Sequence, residues 1–266
     1  MPAAVKLQEE YGDAIQVIFV HSQRATQEQA TAFALNADWL GNQAIWTSNR
    51  PFSTGSNGLP SFVLLDASGK VVLKGNSNSL KGKIEDEIDR MIKENGAAPE
   101  GAPKAVGKVY KAIGKGDLAK AAAEAAKLKA KPGSKEPEKV VSAADAALDA
   151  IEFRFASKLQ RADWLMQNGD PIGAEERLEV LAKSVKGHED MSGRVAEAMA
   201  KLETAEMQEA MGLAKDYAKL EAKLYAKPDD EKAKAKLAEF AQENAGNAVG
   251  KRAQKLVEVA NTPVPR

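Results

Sequence analysis

An α/β region followed by an all-α helical-hairpin region is the fold class that this 266-residue sequence predicts. Three observations predict it. Runs of β-branched and aromatic residues of strand type occur only before residue 76. Residues 104–262 are rich in Ala, Lys, Glu and Leu and carry almost no β-branched run. Between the two lies a segment with a helix-ending Asn95-Gly96, small residues, and two prolines, Pro99 and Pro103. The division this implies is residues 1–95, a linker at 96–103, and a helical domain at 104–262.

The first region reads as follows. Residues 2–10 suit a helix, with Pro2 at its first turn, where a missing N–H is harmless. Ile15, Val17, Ile18, Phe19 and Val20 predict a strand over 15–20. A helix is expected over 26–37, because Thr26 is a good N-cap and Gln29 stands three residues on, the spacing of a capping box. A short strand follows at 43–46, then a Pro/Ser/Gly loop at 49–58. Phe62, Val63, Leu64 and Leu65 form a continuous apolar strand over 61–65, entered through Gly58-Leu59-Pro60. Pro60 sits just before that strand, where it need not donate to a ladder and is a candidate cis residue. The Asp66-to-Gly69 turn reverses the chain into a second strand over 71–74. Leu80, Ile84, Ile88, Met91 and Ile92 recur at helical period and predict a helix over 80–93, with Ser79 as its cap.

The helical region is punctuated by legible breaks. Gly114-Lys115-Gly116-Asp117 separates its first two helices. Lys131-Pro132-Gly133 ends the second, and Pro137 opens a long helix running to about Met166. Along that helix Val141, Ala144, Leu148, Ile151, Phe155, Leu159 and Ala162 form one apolar stripe. Asn168-Gly169-Asp170-Pro171 is a stop and restart with Pro171 at the first helical position. Lys186-Gly187-His188 is another break, and Lys227-Pro228-Asp229-Asp230 ends a helical segment over 190–226. Two of these breaks share the form Gly-Asp, followed by an alanine-containing helix. That form is similar to the turn of tetratricopeptide-like arrays. The spacing near fifty residues and the missing aromatic positions favour a generic helical-hairpin bundle over such an array.

The stretch Gly58-Leu59-Pro60-Ser61-Phe62-Val63-Leu64-Leu65-Asp66, running on through Gly69-Lys70-Val71-Val72-Leu73, resembles the second half of a thioredoxin-like domain of the TlpA/ResA type. Met1-Pro2-Ala3-Ala4-Val5-Lys6-Leu7 is similar to the helix that follows the redox motif in that family. The resemblance covers residues 1–95 and implies an N-terminally truncated thioredoxin-like domain. It implies a protein related to thiol-disulfide oxidoreductases whose Cys-x-x-Cys pair and first strands would lie upstream of Met1. It also implies an extracytoplasmic location and a cis-proline loop, Gly58, Leu59 and Pro60, that pairs with an extended peptide substrate. The chain has no cysteine, so it cannot itself exchange disulfides. The reading of another class is a non-catalytic protein-interaction module acting through the helical domain.

Composition narrows the remaining classes. Lys+Arg and Asp+Glu are both 38, so no bulk charge favours nucleic acid or a membrane surface; a protein or peptide partner is what the resemblance and the interaction-module reading imply. No apolar run approaches the ~20 residues needed to span a bilayer. Neither catalytic residues, a cofactor nor a metal site is expected. His21 reads as a polar strand end and His188 as a solvated turn. Trp39, Trp46 and Trp164 read as core or core-edge residues. Residues 101–108 lack phosphate-loop spacing, with Val109 where Ser or Thr would be required. Asp229-Asp230 and Glu175-Glu176 lie at helix starts, where they suit the dipole.

Overall fold

The computed structural model describes residues 2–11, 15–20, 26–37, 45–47, 52–56, 58–66, 69–94, 97–133 and 135–263. In chain order these form α1 (Pro2–Tyr11), β1 (Ile18–Val20), α2 (Gln27–Asn36), β2 (Ile45–Thr47), β3 (Ser61–Leu65) and β4 (Val71–Asn76). Then come α3 (Lys81–Glu94), a 3-10 turn (Lys104–Val106), α4 (Gly107–Gly114), α5 (Leu118–Ala130), α6 (Pro137–Gln167), α7 (Pro171–Ser184) and α8 (Glu189–Leu202). The chain continues with α9 (Ala205–Ala226), α10 (Glu231–Glu243) and α11 (Ala248–Asn261). Among the described residues no helix is long and apolar enough to cross a membrane.

This architecture corrects the expected α/β thioredoxin-like domain followed by an all-α helical-hairpin domain. The chain is mostly helical, and among the described residues its strands form two separate two-stranded sheets. β1 pairs with β2 in parallel, and β3 pairs with β4 antiparallel with a register shift at Leu64/Leu65. A thioredoxin-like sheet needs a central strand to join such pairs, and none joins them among the described residues. The physical sign is burial. A strand at the centre of such a sheet is covered on both faces, whereas every residue of β3 is only half-buried. The apolar run at 62–65 therefore makes a hairpin, not the inner strand of a layered sheet.

The chain divides into two compact units, neither bounded by residues 96–103: residues 1–84 with 210–266, and residues 85–209. In the first, α2 is started by the expected capping box, with the Thr26 side chain accepting from Gln29 N and the Gln29 side chain accepting from Thr26 N. It buries Ala30, Ala32, Ala34 and Leu35 and packs on α11. The β3–β4 reversal is held by Asp66, whose Oδ1 accepts from Lys70 N at 3.0 Å, and by Gly69 at φ 83°. α10 and α11 form a hairpin around Ala233, Leu237, Ala241, Val249, Ala253 and Leu256. Its turn is tight: a Cβ on Gly250 would lie 1.9 Å from the Asn244 carbonyl oxygen.

In the second unit each helix from α4 to α8 packs on the next, and α6 also touches α4 and α8. The core runs from Val109, Ala112, Ile113, Leu118 and Ala121 through Ile151 and Phe155 to Leu181, Val185, Met191 and Val195. A second cluster joins Leu165, Met166, Ala174 and Leu178 to Ala198 and Leu202. Alanine at the crossing points of α5 and α6 lets these helices approach closely.

The two Gly-Asp turns share one geometry. Gly116 (φ 75°) donates to Ile113 O while Asp117 N donates to Ala112 O. Gly169 (φ 77°) donates to Met166 O while Asp170 N donates to Leu165 O. Each pair closes a Schellman motif, in which the left-handed residue falls to glycine. Asp117 and Asp170 then cap the next helix, accepting from Lys120 N and Gly173 N. One break was not expected. The helical segment over 190–226 is interrupted at Glu203-Thr204, where the Thr204 hydroxyl accepts from Met207 N and starts α9.

Candidate functional site

The residues singled out in the sequence are not brought together. Gly58, Leu59 and Pro60 form the turn into β3. The Leu59–Pro60 peptide is cis, Leu59 is 60% exposed, and the Pro60 carbonyl accepts from Ser77 N at 3.0 Å. His188 caps α8, its Nδ1 accepting from Met191 N at 3.4 Å. Asp230 caps α10 through Lys232 N and Ala233 N. His21, Trp39 and the side chain of Trp46 lie outside the described residues. Among the described residues no group of three or more His, Cys, Asp or Glu side chains could hold a metal ion. A shallow depression beside α11 is lined by Asn36, Pro228, Asp229, Lys234, Asn261 and Thr262, of which Asp229 and Lys234 are charged.

Two groupings that the sequence did not announce stand out. The first is a partly buried polar network in the first unit, built around the buried Tyr217. Tyr217 and Tyr225, about two turns apart on α9, both donate to Glu221 Oε1, at 2.7 and 3.1 Å. Arg252 of α11 lies 3.7 Å from the same oxygen and 4.9 Å over the Tyr217 ring. Phe240 of α10 packs at 6.4 Å against that ring. Burial, and then the negative charge of Glu221, raise the pKa of both phenols. The sequence signal was the spacing Tyr217, Glu221, Tyr225, which places all three on one helix face.

The second grouping is the outward face of α6. The core stripe of this helix faces inward as its periodicity predicts, with Ala144, Ile151, Phe155 and Ala162 buried. On the opposite face Phe153 is 74% and Trp164 48% exposed, which corrects the reading of Trp164 as a core or core-edge residue. The two are 11 residues apart, so at 3.6 residues per turn they lie within about 20° of one line, separated by about 16 Å. Ser142, Ala146, Asp149, Ser157 and Gln160 fall on the same line and are exposed or nearly so, flanked by small residues such as Ala150 and Ala156.

Charge is sorted to either side of this line. One flank carries Arg154 and Arg161. The Arg161 guanidinium lies 4.4 Å over the Trp164 ring, and its pKa is lowered by burial and by the nearby Arg177. The other flank carries Asp145, Glu152 and Asp163, which pair with Lys129 at 2.6 Å, Arg194 at 2.8 Å and Lys201 at 2.8 Å. The Arg194 guanidinium also lies 4.5 Å over the buried Phe155 ring, tying α8 to α6. An exposed Trp held by a stacked Arg, in line with an exposed Phe, has the residue types that dominate the energetics of protein interfaces.

No family model, curated protein or solved structure matches this chain.

Proposed function

We propose that this chain is a non-catalytic protein-interaction module whose working surface is the outward face of α6. The observation that carries the reading is the exposure of Phe153 and Trp164 on one line of a helix whose other face is fully used by the core. Isolated exposed apolar residues need no explanation, but two large aromatics aligned on one helix, one clamped by an arginine, form a surface with an anchor. The clamp matters energetically. A ring already held against a guanidinium loses little rotamer freedom on docking, so less of its binding energy is spent on ordering. Thiol chemistry forms no part of the reading, because the chain has no cysteine.

The test is a photo-cross-linker, p-benzoylphenylalanine, in place of Ser157, between the two aromatics, in the full-length protein within extracts of its own cells. A covalent adduct with a protein is expected from residue 157 and not from the same probe at Ala196, exposed on the side of α8 turned away from Arg194 and Lys201. An adduct-free residue 157, or equal labelling at both positions, would sink the reading.

A further inference from the structure

Resting on the interaction-module reading above, we infer that the α6 face is covered by a second copy of this chain, with the two α6 helices parallel and in register about a twofold axis.

The pattern on the face is what selects the occupant. Ser142, Ala146, Asp149, Phe153, Ser157, Gln160 and Trp164 are spaced 4, 3, 4, 4, 3 and 4 residues apart, two consecutive 11-residue repeats. Such a period stays almost in line with the helix axis and suits a nearly straight partner helix of the same repeat. α6 itself is such a helix, 31 residues and about 46 Å long.

Charge then selects the direction. A twofold axis parallel to the helices sets the Arg154–Arg161 flank of one copy against the Asp145–Glu152–Asp163 flank of the other. The basic and acidic residues are offset by only two positions, Arg154 from Glu152 and Arg161 from Asp163. All three carboxylates keep between 39% and 49% of their side-chain surface exposed beside their own lysines and arginines. An antiparallel pair would instead set like flanks together. Parallel pairing also aligns Phe153 with Phe153 and Trp164 with Trp164 across the axis, the self-matching required of an isologous interface.

Area sets the strength. From Ser142 to Trp164 the strip is about 33 Å long and about 10 Å wide on each copy and covers roughly 660 Å² in total, below the ~1,000 Å² of stable specific interfaces and in the range of transient ones. Asp149, close to the axis, faces its own copy as a like charge and weakens the pair further. The association is therefore a weak, reversible one.

Sedimentation equilibrium of the full chain between 1 and 100 μM tests this. A monomer–dimer equilibrium is expected, weakened about tenfold or more by Phe153→Ala with Trp164→Ala and tightened about threefold by Asp149→Asn. Both changes are on the surface, and an unchanged circular dichroism spectrum verifies that the fold is intact. The absence of native cysteine gives a clean second measurement: Ser157→Cys is expected to form a disulfide-linked dimer on mild oxidation, and Ala196→Cys is not. A chain still monomeric at 100 μM, or a dimer insensitive to the two aromatic substitutions, overturns the inference. A dimer that Ser157→Cys fails to link overturns the parallel register. A monomer that still yields a residue 157 adduct with another protein removes the second copy as occupant and leaves the interaction module standing; no adduct at all removes both.

Discussion

The two units solve the problem of a helical core differently. The second packs alanine, aliphatic residues and Phe155 between α4 and α8 and keeps its charges at the rim, where Arg194 and Lys201 bridge from α8 to α6. The helical part of the first holds a partly buried carboxylate at the edge of its core, where one oxygen of Glu221 serves two phenols and stands beside a guanidinium. A purely apolar core responds to lost volume. A core with a polar network responds to lost partners, because each buried group left without one carries its desolvation penalty.

The largest effect expected is in the apolar core. Phe155 is fully buried within the larger apolar cluster of the second unit, and Phe155→Ala is expected to destabilise by about 4 kcal/mol through lost transfer energy and a residual cavity. Urea denaturation checks it; a loss below about 1 kcal/mol would mean that the second unit closes over the gap and is not tightly packed. Next is Gly250→Ala, expected to cost about 3 kcal/mol, because its methyl group would meet backbone and not a yielding side chain. An unchanged melting temperature would show that the α10–α11 turn is looser than described.

Glu221→Ala sharpens the contrast most directly. It leaves the Tyr217 and Tyr225 hydroxyls without their acceptor and is expected to cost about 2 kcal/mol, with Glu221→Gln costing less because it keeps an acceptor. Equal stability for the two variants would mean that the network contributes packing alone. Asp117→Ala and Asp170→Ala are each expected to cost about 1 kcal/mol as lost caps in the second unit. Hydrogen exchange in the first turns of α5 and α7 locates the effect.

The smallest effect near neutrality is the pH response of the network. Tyr217 and Tyr225 have raised pKa values in the folded chain, against about 10 unfolded. Above pH 10 the unfolded state loses phenolic protons that the folded state keeps, so stability is constant below that value and falls as pH rises through it. Amide exchange in α9 and α11 between pH 8 and 11 is the measurement. If stability in those helices held level to pH 11, the phenols would not be buried as described.

Much of the helical pattern was legible because glycine and proline mark it. The Gly116-Asp117 and Gly169-Asp170 turns, the start at Pro137 and the inward stripe of α6 all follow from local chemistry. The break at Thr204 was not legible, since Glu203-Thr204 contains no breaker and only the threonine cap ends one helix and begins the next. The strands misled for a related reason. An apolar run such as 62–65 states that residues can be buried, not that other layers cover them, and here they stay half-buried in a hairpin. Gly58, Leu59 and Pro60 were picked out by a resemblance, whereas the outward aromatics of α6 were hidden by their own spacing. Phe153 lies only two residues from the buried Phe155, and a hydrophobic stripe absorbs such neighbours unless each is placed on the helix by angle.

Asp117 and Asp170 each close one helix and open the next, so neither turn contains a spare residue. Helical phase is therefore transmitted across these corners without slack. One residue inserted between Gly169 and Asp170 would turn α7 by about 100° about its own axis. Leu178 and Leu181 would swing away from α6 and the charged side of α7 would take their place. Length variation, circular permutation and protease nicking belong instead to the stretch between α5 and α6, where Lys131, Pro132 and Gly133 carry no such double duty.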